Sequence, residues 1–331
     1  MIVLGLDTSC DDTSAAVVKD NIILSNIVSS QLIHNKFGGV VPELASRAHI
    51  KLSLPVIQQA LAEADISKEQ LNGIAVTYGP GLIGSLLTGL CIAKGLSLSL
   101  EIPFIGINHL EGHVFSNLLA DPEFSLPFVV LIVSGGHTQL VLVNKWGDYE
   151  VLGKTRDDAA GEAFDKVAKM LGLGYPGGPV IEKTAKKGDP DYIHFPRAFL
   201  KNDSFDFSFS GLKTAVMNHV FNIGKDKLQD HIKDIAVCFQ EAVVEVLVKK
   251  TVQAAQENKV NHICLAGGVA VNSRLRMKFE QESKSSNLEV LFPSAQLCTD
   301  NGAMIAAAGI YYLKQGSRSL HSLSPEPSLN F

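Results

Sequence analysis

The chain has 331 residues, with 29 Lys and Arg against 34 Asp and Glu and a formal net charge of −5; that balance excludes a protein that coats nucleic acid by charge alone. With 46% hydrophobic residues it can bury two sizeable cores, and its length points to about two domains rather than a disordered chain. Its five cysteines, Cys10, Cys91, Cys238, Cys264 and Cys298, are scattered and include no C-x-x-C pair, so neither a disulfide framework nor a cysteine zinc cage is expected, and a reducing cytoplasm fits.

In chain order, the opening run MIVLGLDTSCDD carries no basic leader and its apolar stretch stops at Asp7, so it reads as a first strand and not as a signal peptide or presequence. The corner DTSCDDTS follows, and residues 15–18 return as a second strand. Residues 128–133, the corner SGGHT and residues 140–143 repeat this hairpin. Such corners aim backbone N–H groups and short side chains at one point. The most apolar long segment, residues 79–93, holds four glycines, Ser85 and Thr88 and ends at Lys94, short of the ~20 residues of a membrane span; a soluble protein is expected.

A second grammar also occurs twice. A strand at 73–77, the turn GPG and a helix at 82–96 correspond to a strand at 262–266, the turn GGV and a helix at 271–280. Each places a helix N-terminus, with unpaired N–H groups and favourable dipole, where an anion can sit. One glycine turn alone is equally the tight connection of an ordinary α/β sheet. The recurrence of hairpin and glycine-helix unit in the same order predicts two related α/β lobes around a ligand cleft, which resembles the actin, sugar-kinase and Hsp70 ATPase superfamily. The expected lobes are residues 1–105 with about 301–331, and residues 106–300, with the ligand site between them. The last helix, 301–313, is expected to pack across the interlobe region, and the Ser/Pro-rich tail from Gln315 to be loosely held.

The sharpest chemical signal is NHLEGHVFS, with His109 and His113 four residues apart. On a helix that spacing puts both imidazoles on one face, within reach of one metal, although surface polarity or capping explains a lone pair as well. Glu111 is rotated roughly 200° from His109, unlike the general base of H-E-x-x-H peptidases. Asp300 in QLCTDNGAM, at a strand-to-helix junction, is the best third ligand; an N-cap role is the competing explanation. Two His and a carboxylate suit Fe(II), Zn(II) or Mn(II). Asp7, Asp11 and Asp12 crowd the first corner, a costly arrangement unless cations, ligand hydroxyls or backbone donors offset it; a solvated corner is the alternative. SGGHT offers glycines for close approach to a phosphate, with Ser134, His137 and Thr138 as donors and no Walker lysine. Asp165, near the YPGGP turn, suits ribose hydroxyls or an ordinary helix-surface ion pair. Between 183 and 213, Lys183, Lys186, Lys187, His194, Arg197, Lys201 and Lys213 alternate with Tyr192, Phe195, Phe199, Phe205, Phe207 and Phe209. That pattern fits a nucleic-acid track or core aromatics among solvated lysines.

Seven motifs in order, GLDTSCDDTSAAVV, NHLEGHVFS, VSGGHTQLV, GEAFDKVAKMLGLGYPGGP, DFSFSGLKTAV, GGVAVNSRLR and CTDNGAMIA, resemble the bacterial tRNA threonylcarbamoyladenosine transferase family (TsaD, formerly Gcp or O-sialoglycoprotein endopeptidase) across nearly the whole chain. The resemblance implies transfer of threonylcarbamoyl from threonylcarbamoyl-AMP to the exocyclic amine of the adenosine 3′-adjacent to the anticodon. It implies one divalent metal, Fe(II) foremost, on His109, His113 and Asp300, and an adenylate pocket from Val133, Ser134, Gly135, Gly136, His137, Asp165, Gly178, Glu182 and Asn272. It also implies a silent paralogous subunit of the TsaB type, a TsaE-type P-loop ATPase, a homodimer when alone, and no membrane. The chain departs from the family in carrying Asp where relatives commonly have Glu, at positions 7 and 12, and Ile132 where archaeal relatives have a metal-ligating Tyr. Because the adenylate is a mixed anhydride with a good leaving group, positioning and oxyanion stabilisation are the main needs. The weakly nucleophilic amine would be assisted by a base, with Asp11, Asp12 or His137 as candidates. A metalloendopeptidase and a small-molecule kinase are the alternatives.

Overall fold

The computed structural model describes residues 1–199 and 204–331; Lys201 of the basic-aromatic stretch lies outside them. The chain divides into two compact units, Met1–Phe124 with Pro293–Phe331, and Ser125–Phe292. The boundaries thus fall at 124/125 and 292/293 rather than at 105/106 and 300/301. The reason is a packing partnership described below, which keeps the helix of His109 with the N-terminal sheet.

The first unit is built on strands β1 (Ile2–Asp7), β2 (Asp12–Lys19), β3 (Ile22–Ser30), β4 (Gly73–Gly79) and β5 (Phe104–Asn108), in the order β3-β2-β1-β4-β5. The first three form an antiparallel meander, and β4 and β5 run parallel to β1. Alternation along β1 sends Leu4 and Leu6 to one face, where they join Val56, Ile57 and Ala60 of helix α1 (Pro42–Glu63) and Leu90 and Ala93 of helix α2 (Ile83–Leu100) in a continuous core. Val3, Gly5 and Asp7 take the opposite face. There a Cβ on Gly5 would overlap the backbone of Gly302 and Ala306, so the glycine lets helix α10 (Gly302–Lys314) lie directly on the sheet. Helix α3 (His109–Ala120) packs beside α10. This is the partnership that moves the boundary: α10 is a core helix of the first unit. Helix α2 is, by length and composition, apolar enough to cross a membrane, and here its Leu86, Leu90 and Ala93 are buried. Outward, α1 exposes Ile50 and Leu54, and α2 exposes Ile83 and Leu87.

The second unit repeats the plan. Strands β6 (Phe128–Val133), β7 (Thr138–Lys145), β8 (Asp148–Lys154), β9 (His262–Ala266) and β10 (Glu289–Leu291) lie in the order β10-β9-β6-β7-β8, with β6-β7-β8 antiparallel and β9 and β10 parallel to β6. Taken from the meander side, both sheets run third, second, first, fourth, fifth. Around it stand α4 (Ala160–Met170), α5 (Gly177–Ala185), α6 (Ser210–Ile223), the 33-residue α7 (Lys225–Glu257) and α8 (Ser273–Ser286). The helix expected from residue 271 begins at Ser273, after a 3₁₀ turn at Gly268–Val271. A short helix α9 (Ala295–Cys298) belongs to the first unit.

The C-terminal tail is not loosely held. Ser319 N donates to Phe104 O, Glu326 N to Tyr78 O and Lys94 Nζ to Leu323 O, while Gly81 N donates to Pro327 O and Asn108 Nδ2 to Asn330 O. The Ser/Pro composition conceals this because the tail is fixed chiefly through backbone groups, which every residue carries.

Candidate metal centre and adenylate-binding residues

Helix α3 starts directly at His109, its first turn capped by Asn108 Oδ1, which accepts from Leu110 N at 2.9 Å. His109 and His113 share one face, their rings edge-to-face at 4.8 Å between centroids. Asp300 stands in the turn before α10. It is not the N-cap of that helix, because Asn301 takes that role through Oδ1, which accepts from Met304 N at 3.0 Å. Asp300 Oδ1 lies 3.5 Å from His109 Nε2 and 3.2 Å from His113 Nε2, and one donor atom from each of the three residues falls within 4.8 Å of the others.

Two observations test whether this set suits a cation. His113 is fully buried and neither ring nitrogen has a hydrogen-bond partner among the described residues, although Asp300 is near; the approach to Nε2 is not that of a hydrogen bond. A buried polar ring left so costs stability, and a metal on Nε2 would satisfy that nitrogen. At His109, burial pushes the imidazole pKa down, but the carboxylates of Asp7 and Asp300 outweigh it and raise it to about 9. The cluster therefore favours positive charge, and two imidazoles with a carboxylate are donors for Fe(II), Zn(II) or Mn(II).

The first corner borders this cluster. Asp7 is fully buried, with Oδ2 3.3 Å from His109 Nδ1. Asp12 is raised to about 7 by burial, with the charges of Asp300, Asp11 and Asp7 adding to it and a hydrogen bond to Ser30 opposing. The Cys10 thiol is pushed up strongly by burial and then by Asp11 and Asp300, which disfavours its thiolate. The backbone is clamped from behind: the Cys10 carbonyl accepts from His49 Nε2 at 2.9 Å and Ser85 Oγ at 3.4 Å, and Leu82 N donates to Ser9 O at 2.8 Å. Residues His49 and Ser85 were invisible as site residues, since a lone His and a lone Ser inside helices have no signature. Glu111 is buried and accepts from Tyr312 OH, so its carboxylate is engaged with α10.

In the second unit, β6 and β9 are adjacent and parallel, so their carboxyl ends bring Ser134, Gly135, Gly136 and His137 beside the turn of Gly267 to Asn272. The SGGH corner is closed by Ser134 N donating to His137 O at 2.8 Å and His137 N to Ser134 Oγ at 3.1 Å. Gly135 and Gly136 are exposed, with open space where a Cβ would stand, and the amino end of α4 abuts the corner through Gly161 N, which donates to Ser134 O. Gly267 has φ +90°, and a Cβ there would overlap the Val133 carbonyl, so only glycine fits this turn. Asp165 Oδ1 accepts from Gly177 N at 2.6 Å, Glu182 Oε1 from Ser273 Oγ at 2.6 Å, and Asn272 Oδ1 from Leu275 N at 3.0 Å. These three thus hold helix starts at the same end of the sheet, and Gly178 has open space beside it. Val133 and Ile132 are buried in β6.

A family model described as TsaD, tRNA N6-adenosine threonylcarbamoyltransferase, matches residues 22–307. The chain belongs to this family. A tRNA N6-adenosine threonylcarbamoyltransferase of Thermosipho africanus is 55% identical over 331 residues, covering 99% of each chain. One of Caldicellulosiruptor saccharolyticus is 50% identical over 332 residues, covering 100% of this chain and 98% of that one. Among solved structures, HypF of T. kodakarensis aligns with TM-score 0.63 at 15% identity over 95% of this chain and 48% of that one. An activator of 2-hydroxyisocaproyl-CoA dehydratase from Clostridium difficile aligns with TM-score 0.56 at 14% identity over 96% and 97%. These likenesses show the fold, two α/β units of the actin, sugar-kinase and Hsp70 ATPase type.

As a threonylcarbamoyltransferase the chain is a tRNA-modifying enzyme, and the basic-aromatic stretch then matters. Three of its aromatics, Phe195, Phe207 and Phe209, are buried and unavailable for stacking, and Tyr192 stacks on His231 at 4.7 Å, whereas Phe199 is exposed, with Lys249 Nζ 5.5 Å from its ring centroid. Arg197 pairs with Glu245 at 2.9 Å and Lys213 with Asp158 at 2.6 Å. Lys183, Lys186, Lys187 and His194 remain exposed.

Proposed function

We propose that this chain moves the threonylcarbamoyl group from threonylcarbamoyl-AMP to the exocyclic amine of the adenosine 3′-adjacent to the anticodon, with one divalent metal, Fe(II) foremost, on His109, His113 and Asp300. The observation that carries the metal assignment is the convergence of these three on a buried point where the His113 ring has no hydrogen-bond partner among the described residues. When bound, the ion supplies a Lewis acid for the carbamoyl oxygen. The chain's own residues do the rest. In the transfer, the amine nitrogen forms a bond to the carbamoyl carbon, the bond from that carbon to the phosphate oxygen breaks, AMP leaves, and the amine gives up one proton. Asp12, raised to about 7, is matched to accept that proton near neutrality, with Asp11 beside it. In the second unit we assign the adenylate to Val133, Ser134, Gly135, Gly136 and His137, together with Asp165, Gly178, Glu182 and Asn272. Exposed glycine backbone beside the start of α4 supports phosphate binding there.

Glu111 is hydrogen-bonded to Tyr312 of α10 and lies roughly 200° around the helix from His109, which disfavours the general-base role an endopeptidase would need. The remaining assignments are a cytoplasmic setting, a TsaB-type paralogue and a TsaE-type ATPase as partners, and a homodimer in their absence. The apolar pairs Ile50 and Leu54, and Ile83 and Leu87, support a protein partner on the first unit. With a net charge of −5, docking of tRNA needs local basic surface and help from partners. The test is reconstitution with threonylcarbamoyl-AMP, the two partners and unmodified tRNA. Modified adenosine should form with the parent and not with His113→Ala, and full transfer by that variant would refute the metal's role. AMP binding measured by calorimetry should weaken in Gly136→Val, and an unchanged affinity would refute the adenylate assignment.

A further inference from the structure

We propose that Asp7, assisted by Ser9, is a positioning residue for the metal ligand His109, holding the ring proton on Nδ1 so that Nε2 is presented to the ion. The inference rests on the metal reading above. Asp7 closes β1 opposite Ser14, and its carbonyl accepts from Ser14 Oγ at 3.3 Å. Strand alternation therefore fixes its side chain on the face covered by α3 and α10. There it is fully buried, with Oδ2 3.3 Å from His109 Nδ1. Ser9 Oγ is 3.2 Å from the same nitrogen, and Ser9 N donates to Asp7 Oδ1 at 3.1 Å, aiming the carboxylate. Ser9 is itself tied down by Leu82 N on its carbonyl.

An imidazole whose Nε2 is taken by a metal keeps its one ring proton on Nδ1, and the Asp7 carboxylate, 3.3 Å from that nitrogen, is the acceptor placed to hold it there. The lone pair is then on Nε2, the atom that faces Asp300 at 3.5 Å. A carboxylate behind a ligating imidazole both orients it and makes it a stronger donor. His113 has no such support among the described residues, so His109 is the one preoriented imidazole of the pair. The short Asp side chain reaches it from a strand end without any intervening group.

The experiment titrates metal-free, full-length protein with Zn(II) against a chromophoric chelator, in the parent, Asp7→Asn and Asp7→Glu. Asp7→Asn should lose about 10–100-fold in affinity while its metal-free circular dichroism stays that of the parent, and Asp7→Glu should regain most of the loss. In the Zn(II) form, long-range ¹H–¹⁵N spectra of the parent should show His109 protonated at Nδ1 and metallated at Nε2. Binding by Asp7→Asn within twofold of the parent, equal losses in both variants, or the opposite tautomer would overturn the inference and leave the metal reading standing. If Asp7→Asn does not fold, Ser9→Ala decides: weaker binding supports the positioning role and parent affinity overturns it. A parent protein that binds no Zn(II) or Fe(II) would overturn the metal reading itself.

Discussion

Replacing Asp12 with Asn keeps the side chain's shape and removes its ionisation. Burial raises this carboxyl from 3.8 to about 7, with Asp300, Asp11 and Asp7 reinforcing the shift. Between about pH 4 and pH 7 the unfolded chain has released the Asp12 proton and the folded chain has not, so each increment of pH through that window lowers stability; above the folded value the penalty is constant. The difference, 7 − 3.8 ≈ 3 on the pH scale, corresponds to a ceiling of about 4 kcal/mol at 1.36 kcal/mol per decade. The side chain is partly open to solvent, which reduces the effect to about 2 kcal/mol. Metal-free Asp12→Asn should therefore match the parent near pH 4.5 and be more stable near pH 8. Hydrogen exchange of peptides covering β1 and β2 is the suitable assay, because it reads the first unit alone; the single tryptophan, Trp146, lies in the second. The same variant should transfer threonylcarbamoyl poorly, the pairing of gained stability with lost activity expected where a functional group is held under strain. A stability difference that does not grow with pH, or a less stable variant at pH 8, would refute the reasoning.

Three further outcomes are expected. His113→Ala should reduce bound metal from one ion per chain to a small fraction, measured by elemental analysis after dialysis, since the remaining His and carboxylate make a weak site. Gly5→Ala should lower stability by about 3 kcal/mol in thermal unfolding, at the upper end for overpacking, because the new methyl group meets the backbone of α10, which cannot swing aside. Tyr312→Phe should cost about 1–3 kcal/mol, read in the same assay, because it takes a donor from the buried Glu111 carboxylate.

Much of the centre was legible because its signals are local. The spacing of His109 and His113 translates directly into one helix face, and the glycine corners recur at strand ends where both sheets need sharp turns. Asp300 was placed by its position before a helix, and the competing capping role was removed by Asn301, a neighbour whose side chain does that work. What the sequence did not reveal depends on contacts between distant segments. The boundary near residue 105 was misplaced because an apolar strand followed by a polar helix start looks like a domain exit; only the packing of α3 against α10 keeps both in one unit. The phenylalanines at 195, 207 and 209 alternate with polar residues as a stacking track would, yet burial claimed them. Asp7 carried the right chemistry at the right place, but its partner His109 is 102 positions away in the chain, and no local pattern joins them.

The discontinuous make-up of the first unit has a consequence for synthesis. Ser125–Phe292 is an uninterrupted stretch with its own sheet and core, so it can fold on the ribosome as soon as it emerges. The first unit must wait: β1 lacks its cover until α10 has been translated, and His109 and His113 lack Asp300. A sheet left open on one face is a hazard while it lasts, and its relief waits for α10. The nascent chain thereby holds an incomplete candidate ligand set from the synthesis of His109 until that of Asp300, 191 residues later.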